Sequence, residues 1–364
     1  MDYQKSKIEY IKNINIFKKV FSNLNKRIFL EISKYNKKIQ VKLNLDINDY
    51  KEGFLKYSPI EIEIIPIECN YAKFLNIYNK EEESYYHIYF NNSKDEIKRT
   101  FCEKKDKVEK IKIKVDYQVK SFHKLFKNCN CIKSIKFKKF NRNTINNMSC
   151  MFGFCSSLIE IDLSQFKTDN VKNMSDMFCW CVLLKELNLS NFNTENVNDM
   201  AYLFSGCKSL KELNLSNFNT INVNDINGIF NECSSLTKVD VSSFNTENIT
   251  KMEHMFNGCS SLKELNLSNF NTKNTISMDY MFSGCSSLKE LDLSNFHNSN
   301  KIQMDCMFYY CSSLKKLNFP NVNANAKDIF YKCPDGIPNK YEKKKSESDI
   351  DFNDLNNDDF DFLG

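Results

Sequence analysis

The stretch Leu184–Ser209 reads LKELNLSNFNTENVNDMAYLFSGCKS, and close copies of it recur every twenty-six residues along most of the chain. Two phenylalanine columns share the period, one from Phe126 to Phe308 and the other from Phe140 to Phe296. The period is clearest in a column of cysteines: Cys129, Cys155, Cys181, Cys207, Cys233, Cys259, Cys285 and Cys311. Such a repeat predicts a solenoid, because one unit cannot bury its apolar face alone and must stack on its neighbours.

Within one unit, the spacing of apolar residues predicts a strand followed by a short helix. Leu184, Leu187 and Leu189 follow the pattern L-x-x-L-x-L, and alternation along a strand turns Glu186 and Asn188 outward. The remaining apolar residues have helical spacing: Val197, Met200, Leu203, Phe204 and Cys207. The predicted fold class is therefore α/β, a solenoid with a parallel β-sheet on one wall and short helices on the other.

The chain before the repeats has a different pattern and predicts a small α+β module. Apolar residues recur at helical spacing over residues 1–45, whereas Pro59–Glu68 and Tyr85–Phe90 predict strands. Lys94–Lys105 predicts a short charged helix. The domain division that follows is an α+β module of unknown role at 1–108, a solenoid of about nine coils at 109–334, and a disordered acidic tail at 335–364.

The net charge of +5 conceals an asymmetry along the chain. Residues 1–150 contain 32 basic and 18 acidic residues, whereas residues 151–364 contain 19 basic and 28 acidic residues. A basic half can attract acidic partners, but no nucleic-acid-binding motif accompanies the charge. We therefore expect no nucleic-acid partner.

The compartment is predicted from the start of the chain and from its cysteines. The opening MDYQKSKIEYIK has no apolar segment of the kind that export signals contain, and no run of eighteen apolar residues occurs. We expect a monomeric cytoplasmic protein without a membrane span, and the cell surface is the alternative location. Its cysteines should then be free thiols, since disulfides are uncommon in reducing compartments.

Catalytic motifs do not stand out in the sequence. The four histidines are far apart along the chain, and Cys129 and Cys131, like Cys179 and Cys181, are separated by one residue rather than the two to four of a zinc site. Eight glycines in the whole chain leave little room for a phosphate-binding loop. The sequence therefore predicts a protein that is not an enzyme, with no catalytic residue, no metal site and no cofactor.

The pattern LKELNLSNFNTxNVxxMxxMFxGCSSL, which covers about residues 111–333, resembles the BspA-like leucine-rich-repeat family with its 26-residue surface-protein repeat. The resemblance implies a leucine-rich-repeat solenoid and a role in adhesion or protein binding at the surface of bacteria and protists. The helical opening of the chain also resembles an F-box, which would imply an adaptor that selects substrates with its solenoid.

The outward columns of the strand wall predict where a partner binds. Together they form an acidic and polar face: Glu160, Asp162, Glu186, Asn188, Glu212, Asn214, Lys238, Asp240, Glu264, Asn266, Glu290 and Asp292. A solvated sheet left uniform by recent duplication is the alternative interpretation. Trp180, the single tryptophan, is a further candidate contact. The predicted function is a non-catalytic protein–protein interaction scaffold for a protein partner of unknown identity, with the adhesin and the F-box-type adaptor as alternatives.

Overall fold

The computed structural model describes residues 13–22, 24, 26–68, 71–297, 302–320 and 326–337. Four helices open the described chain: α1 (Ile14–Ser22), α2 (Lys26–Ser33), α3 (Lys37–Leu43) and α4 (Ile47–Tyr57). Phe17, Phe21 and Ile39 are buried in a small core that α1 and α3 share. The helical prediction is thus confirmed over 14–43, and residues 1–12 lie outside the described residues.

A mixed five-stranded sheet joins the N-terminal part to the first coils of the repeat array. It contains, in the order β3-β5-β1-β6-β7, the strands β1 (Ile60–Pro66), β3 (Tyr86–Phe90), β5 (Ile111–Val115), β6 (Ile132–Lys139) and β7 (Glu160–Asp162). Two further strands, β2 (Tyr71–Lys73) and β4 (Phe101–Glu103), pair separately. The boundary predicted at residue 108 therefore lies between strands of one sheet, and a single apolar core extends from Ile60 to Ile337.

Both strands predicted in this part are confirmed as β1 and β3, but the helix predicted over Lys94–Lys105 was wrong. That segment contains β4 and a single turn of 3-10 helix at Lys104–Asp106. The carboxylate of Asp106 accepts bonds from the Arg99 guanidinium and from the Glu103 backbone amide. These bonds fold the segment back on itself, which a continuous helix would not permit.

The coils of the array have two walls, and we call the one that carries the predicted strands the strand wall. Its strands form separate parallel pairs rather than a continuous sheet, and one coil without a paired strand separates each pair from the next. The pairs are β6 with β7, β8 (Glu212–Asn214) with β9 (Lys238–Asp240), and β10 (Glu290–Asp292) with β11 (Lys316–Asn318). Between these pairs, no backbone hydrogen bond joins the described segments Glu186–Asn188 and Glu264–Asn266 to the adjacent coils.

The opposite wall, which we call the turn wall, contains no helix among the described residues, so the prediction of short helices there was wrong. It consists of successive turns that include residues in the left-handed region, such as Asp176 and Trp180. Every second backbone amide points to the next coil: Met174 to Asp199, Asp176 to Ala201, Phe178 to Leu203 and Trp180 to Ser205, at 2.6–3.0 Å. A segment this short nucleates a helix poorly, and bonding between coils satisfies its amides instead.

The core between the walls contains the predicted cysteine and phenylalanine columns, which confirms their burial. Phe204 and Cys207 are both fully buried. Phe rings from Phe126 to Phe330 stack coil upon coil, with centroids 5.3–6.0 Å apart. From Cys155 to Cys311, each column thiol lies within hydrogen-bonding distance of a phenylalanine carbonyl of the preceding coil, as Cys207 does with Phe178 at 3.2 Å. Cysteine therefore suits this column, because it is small, apolar and a weak donor.

Polar side chains join the coils at the edge between the walls. The Nδ2 group of Asn191 donates to the Leu163 and Phe166 carbonyls of the preceding coil, at 3.0 and 2.8 Å. The Thr194 hydroxyl donates to Asn219 O and accepts from Asn219 N of the next coil, at 2.9 and 2.8 Å. Thr194 therefore links two successive coils.

The last coils extend the array to Ile337, which is buried against the core. Phe330 is the last ring of the stack, and Phe319 meets Phe308 edge to face beside it. Of the tail predicted at 335–364, residues 338–364 lie outside the described residues, so its predicted disorder stays a prediction.

Candidate binding surface

The predicted partner-binding residues all lie on the outer surface of the strand wall, which we call the strand face. Ten of the twelve are exposed, and Asp162 and Asp240 are half-buried. Strand alternation explains their exposure, because the intervening Leu213, Val239 and Leu291 point into the core. These neighbouring outward positions bring the predicted residues together on one surface.

The twelve residues divide into two columns with different roles. In the column Asp162, Asn188, Asn214, Asp240, Asn266 and Asp292, each side-chain oxygen accepts from the backbone amide two residues later, at 2.9–3.0 Å. This short-range bond shapes the turn that ends each strand segment. The carbonyl or carboxylate oxygens of this column are therefore partly committed to the fold.

In the other column, most of the charged side chains have no hydrogen-bond or ion-pair partner among the described residues. Glu160, Glu186, Glu212, Lys238 and Glu264 make no side-chain hydrogen bond or ion pair among the described residues, whereas the sixth member, Glu290, lies 3.4 Å from Lys316 Nζ. The four free carboxylates are repeated at one outward position in successive or alternate coils. A partner that supplies cations at the same interval would meet them without breaking an existing ion pair.

The aspartates of the turn-forming column are held in their charged form. Hydrogen bonds from Lys136 and Ser164 lower the pKa of Asp162 to about 2. A hydrogen bond from the Ser242 hydroxyl is the largest cause of the lowered pKa of Asp240, and one from Ser294 acts in the same way on Asp292. These three carboxylates therefore stay anionic well below neutral pH.

A groove crosses the middle of the strand face where the pairing of strands is interrupted. It encloses about 1030 Å³ between the unpaired segment Glu186–Asn188 and the paired strands β8 and β9. Six predicted residues line it: Glu186, Asn188, Glu212, Asn214, Lys238 and Asp240. Lys185 and Lys211 also line it, so the groove has basic as well as acidic walls. Sequence reasoning placed the six predicted residues on one face but missed the groove.

Trp180 lies on the turn wall, away from the strand face. Its ring stacks on Phe154 with a centroid distance of 6.5 Å, and Lys208 Nζ lies 4.8 Å from its centroid. A Cβ atom at Gly206 would lie 2.7 Å from the indole, so glycine at this position allows the ring to lie flat on the next coil. Packing between coils therefore accounts for most of the Trp180 surface.

The described residues contain no group of three or more His, Cys, Asp and Glu side chains that could hold a metal ion. They also contain no helix that is both long enough and apolar enough to cross a bilayer.

The repeats match one protein-family model, which carries the description "Mycoplasma protein of unknown function, DUF285". Its four matches cover residues 96–185, 120–239, 158–264 and 235–336, which together make up most of the chain. The chain belongs to this family, and its identification as a BspA-like leucine-rich-repeat protein is confirmed. No catalytic family is indicated.

The solved structures include a leucine-rich repeat protein from Bacteroides ovatus, which is similar to this chain at 22% identity and a TM-score of 0.32. The match covers 56% of this chain and 59% of that protein, so it spans little more than half of the solved protein. No curated protein matches the sequence.

Proposed function

We propose that this protein is a non-catalytic scaffold that binds a protein partner through the strand face. The observation that carries the proposal is the groove of about 1030 Å³, since six of the predicted binding residues line it. A concave site with charged groups of both signs suits an extended polar segment of a protein. The repeat family supports a role in protein interaction in general terms.

The free carboxylates of Glu186, Glu212 and Glu264 provide the electrostatic part of the proposed recognition. They make no ion pair among the described residues, so a basic partner could pair with them at little cost to the fold. The turn-forming Asn188 and Asn214 contribute amide groups beside them. We expect partner binding to weaken as salt concentration rises, because exposed charges are screened.

Charge reversal at Glu186, Glu212 and Glu264 to Lys tests the proposal. A matched control reverses Asp169, Glu195 and Glu247, which are also exposed but lie beyond the strand wall. Crosslinking and affinity capture with the intact chain should recover a partner that the first triple variant loses and the control retains. Equal capture by both variants would assign binding to another surface.

The proposed location is the cytoplasm, and the cysteine column supports it. The column thiols from Cys155 to Cys311 each contact a carbonyl of the preceding coil as a thiol, and a disulfide would abolish that contact. A surface adhesin of the BspA-like kind is the alternative, and cell fractionation separates the two. Recovery only from the cell surface would contradict the cytoplasmic proposal.

The F-box-type adaptor is a second alternative, supported by the separate small core of α1 and α3. In that case the helices would recruit a ligase and the strand face would select its substrates. Capture with the intact chain should then recover a ligase component, and a charge-altering variant of exposed residues on α1–α3 should lose it.

A further inference from the structure

The helical part of the chain, α1 to α4, exposes far more of its apolar side chains than the rest of the described chain does. Eighteen large apolar side chains are exposed among the described residues, and half of them lie within 14–55. They are Ile14, Ile16, Val20, Ile28, Tyr35, Val41, Ile47, Phe54 and Leu55. Single exposed apolar residues are ordinary on a soluble protein, but such a concentration marks a surface that another group covers.

On α4, the exposed residues form one stripe. Ile47, Phe54 and Leu55 occupy positions i, i+7 and i+8 of the helix, which share a face, and they are 67%, 52% and 39% exposed. Another face of α4 packs on α2, where a Cβ atom at Gly53 would collide with the Leu30 side chain. Contact with α2 therefore fixes the position of α4 and leaves its apolar stripe open.

The helical part is also strongly basic. Residues 14–57 contain ten basic and four acidic side chains. Three of these carboxylates already have partners, since Asp46 and Asp49 form a capping box at the start of α4 and Glu52 lies 3.8 Å from a lysine of α2. Lys51, in the middle of the stripe, makes no ion pair among the described residues. The apolar stripe is therefore surrounded by positive charge that the helices do not balance.

The other surfaces of the described chain suit an acidic segment less well. Four lysines around the five-stranded sheet already have carboxylate partners: Lys110 and Lys138 pair with Glu63, Lys136 with Asp162, and Lys139 with Glu61. The strand face carries the column of free carboxylates and would repel further negative charge. The helical part is thus the surface that best fits a segment both acidic and apolar.

The chain itself contains a segment of this chemistry in residues 346–364, which lie outside the described residues. The segment has seven acidic side chains and no basic one. Large apolar residues alternate with its carboxylates: Ile350, Phe352, Leu355, Phe360, Phe362 and Leu363. Both its charge and its apolar content therefore complement the helical part.

The length of chain after Ile337 allows this segment to reach the helices. About nine coils at the spacing of paired strands, about 4.8 Å, give the array a length of about 40 Å. An extended chain spans at most about 3.3–3.6 Å per residue, so Phe352 can lie up to about 50 Å from Ile337. The segment can therefore pass along the array and arrive at the opposite end.

We propose that residues 346–364 dock on the helical part of the same chain. Apolar side chains such as Phe352 and Phe360 cover the stripe of Ile47 and Phe54, and the carboxylates lie beside Lys51 and neighbouring lysines. Because the segment is tethered, its effective concentration at the helices is at most about 1 mM, so contacts of modest affinity suffice. The docked segment covers the surface that an external partner of the helices would need, so the two exclude each other.

Zero-length carbodiimide crosslinking of the full chain, read by mass spectrometry, tests this docking. Equal amounts of ordinary and nitrogen-15-labelled chains are mixed, so that crosslinks within one chain differ in mass from those between chains. We expect crosslinks within one chain that join carboxylates of 347–361 to lysines of 18–56. Their yield should fall as salt rises from about 0.05 to about 0.5 M, because exposed charges are screened.

The double variant Ile47→Ser, Phe54→Ser keeps every lysine and carboxylate, so it isolates the apolar contact. It should lower the yield of these crosslinks several-fold. The double variant Ile221→Ser, Ile276→Ser is the matched control, because it removes two residues of comparable exposure from the array. The control should crosslink as the wild type does.

The tail variant Phe352→Ser, Phe360→Ser should show the same several-fold loss, and it carries the test if the helical variant does not fold. Crosslinks only between chains, crosslinks chiefly to lysines of the array, or yields unchanged in both variants would overturn the proposal. Capture of the wild-type chain on phosphatidylserine vesicles, with no crosslink from the tail to the helices, would also overturn it. That result would assign the basic and apolar surface to an anionic membrane.

Discussion

The two walls of the array hold their coils together in different ways. On the turn wall, every coil bonds to the next through several backbone amides, as from Phe178 to Leu203 and from Phe204 to Ile229. On the strand wall, pairs of coils joined by backbone bonds are separated by a single coil without such bonds, and Glu186–Asn188 has none among the described residues. The turn wall therefore provides most of the stacking order, which leaves the strand face free to carry charges and a groove.

The largest expected difference between the walls is in the stability lost when a side chain is removed. Phe204→Ala removes a fully buried ring that stacks between Phe178 and Phe230, with centroids 5.9 and 6.0 Å away. It should lower the free energy of unfolding by about 3–5 kcal/mol through lost transfer energy and a cavity. Glu212→Ala on the strand face should change it by less than about 0.5 kcal/mol. Urea denaturation of both variants measures the contrast, and similar losses would refute it.

Glycine substitutions on the turn wall separate backbone strain from side-chain contact. Gly206 and Gly284 have φ of +71° and +72°, but a Cβ at Gly206 meets the Trp180 ring at 2.7 Å, whereas the nearest atom at Gly284 is 3.3 Å away. Gly284→Ala should cost about 1–2 kcal/mol, chiefly from the left-handed backbone. Gly206→Ala should cost about 1–2 kcal/mol more, because the indole must move. Equal melting temperatures would show that Trp180 does not lie on Gly206.

The cysteine column predicts a loss of stability at alkaline pH. Burial raises the pKa of the Cys155, Cys233 and Cys285 thiols to about 12 from an ordinary value of 9.0. Because the folded-state pKa is the higher one, the contribution is complete below pH 9 and is lost as pH rises from 9 toward 12. Each such thiol should lower the free energy of unfolding by up to about 1.4 kcal/mol per pH unit.

Cys233→Ala is the variant that sharpens this prediction. At pH 7 it should cost about 1–2 kcal/mol, since it removes the contact with Phe204 O at 3.1 Å and some packing. Between pH 9 and 12 its stability should fall less steeply than that of wild type. Parallel pH profiles from urea denaturation would contradict the assignment of the alkaline loss to buried thiols.

The smallest expected effect comes from the strand wall at low pH. Asp162, paired with Lys136 and bonded to Ser164 N at 3.0 Å, has a pKa of about 2 in the fold and 3.8 when exposed. Its contribution is therefore present above about pH 4 and is lost as pH falls toward 2. Asp162→Asn should cost less than about 1 kcal/mol at pH 7, because water screens the pair. A cost independent of pH between 2 and 6 would argue against the ion pair.

The sequence predicted which residues are buried better than it predicted their conformation. Val197, Met200, Leu203, Phe204 and Cys207 are all buried, as the helical spacing required. Yet successive three-residue turns bury the same positions as a helix does. The backbone amides of these turns donate to carbonyls about twenty-five residues later, as Phe204 N does to Ile229 O, and these bonds determine the conformation. A local pattern contains no information on such partners, which explains the wrong helices.

The local sequence likewise does not determine which strands pair. The heptapeptide LKELNLS occurs at 184–190, 210–216 and 262–268, but it contains a strand only in the second copy. Because the three copies are identical, the heptapeptide itself does not determine the pairing, in which Leu213 lies opposite Val239 of the next coil. Exposure of the predicted binding residues followed from alternation alone, whereas the groove between Glu186–Asn188 and β8 depends on this pairing.

Native-state hydrogen exchange, resolved by residue, tests the contrast between the walls most directly. Turn-wall amides such as Phe178, Phe204 and Phe230 should be strongly protected in every coil, because each donates to a carbonyl of the next coil. Amides of Glu186–Asn188 should exchange much faster than those of β8 and β9. Equal protection of all strand-wall segments, or rapid exchange on the turn wall, would contradict the account.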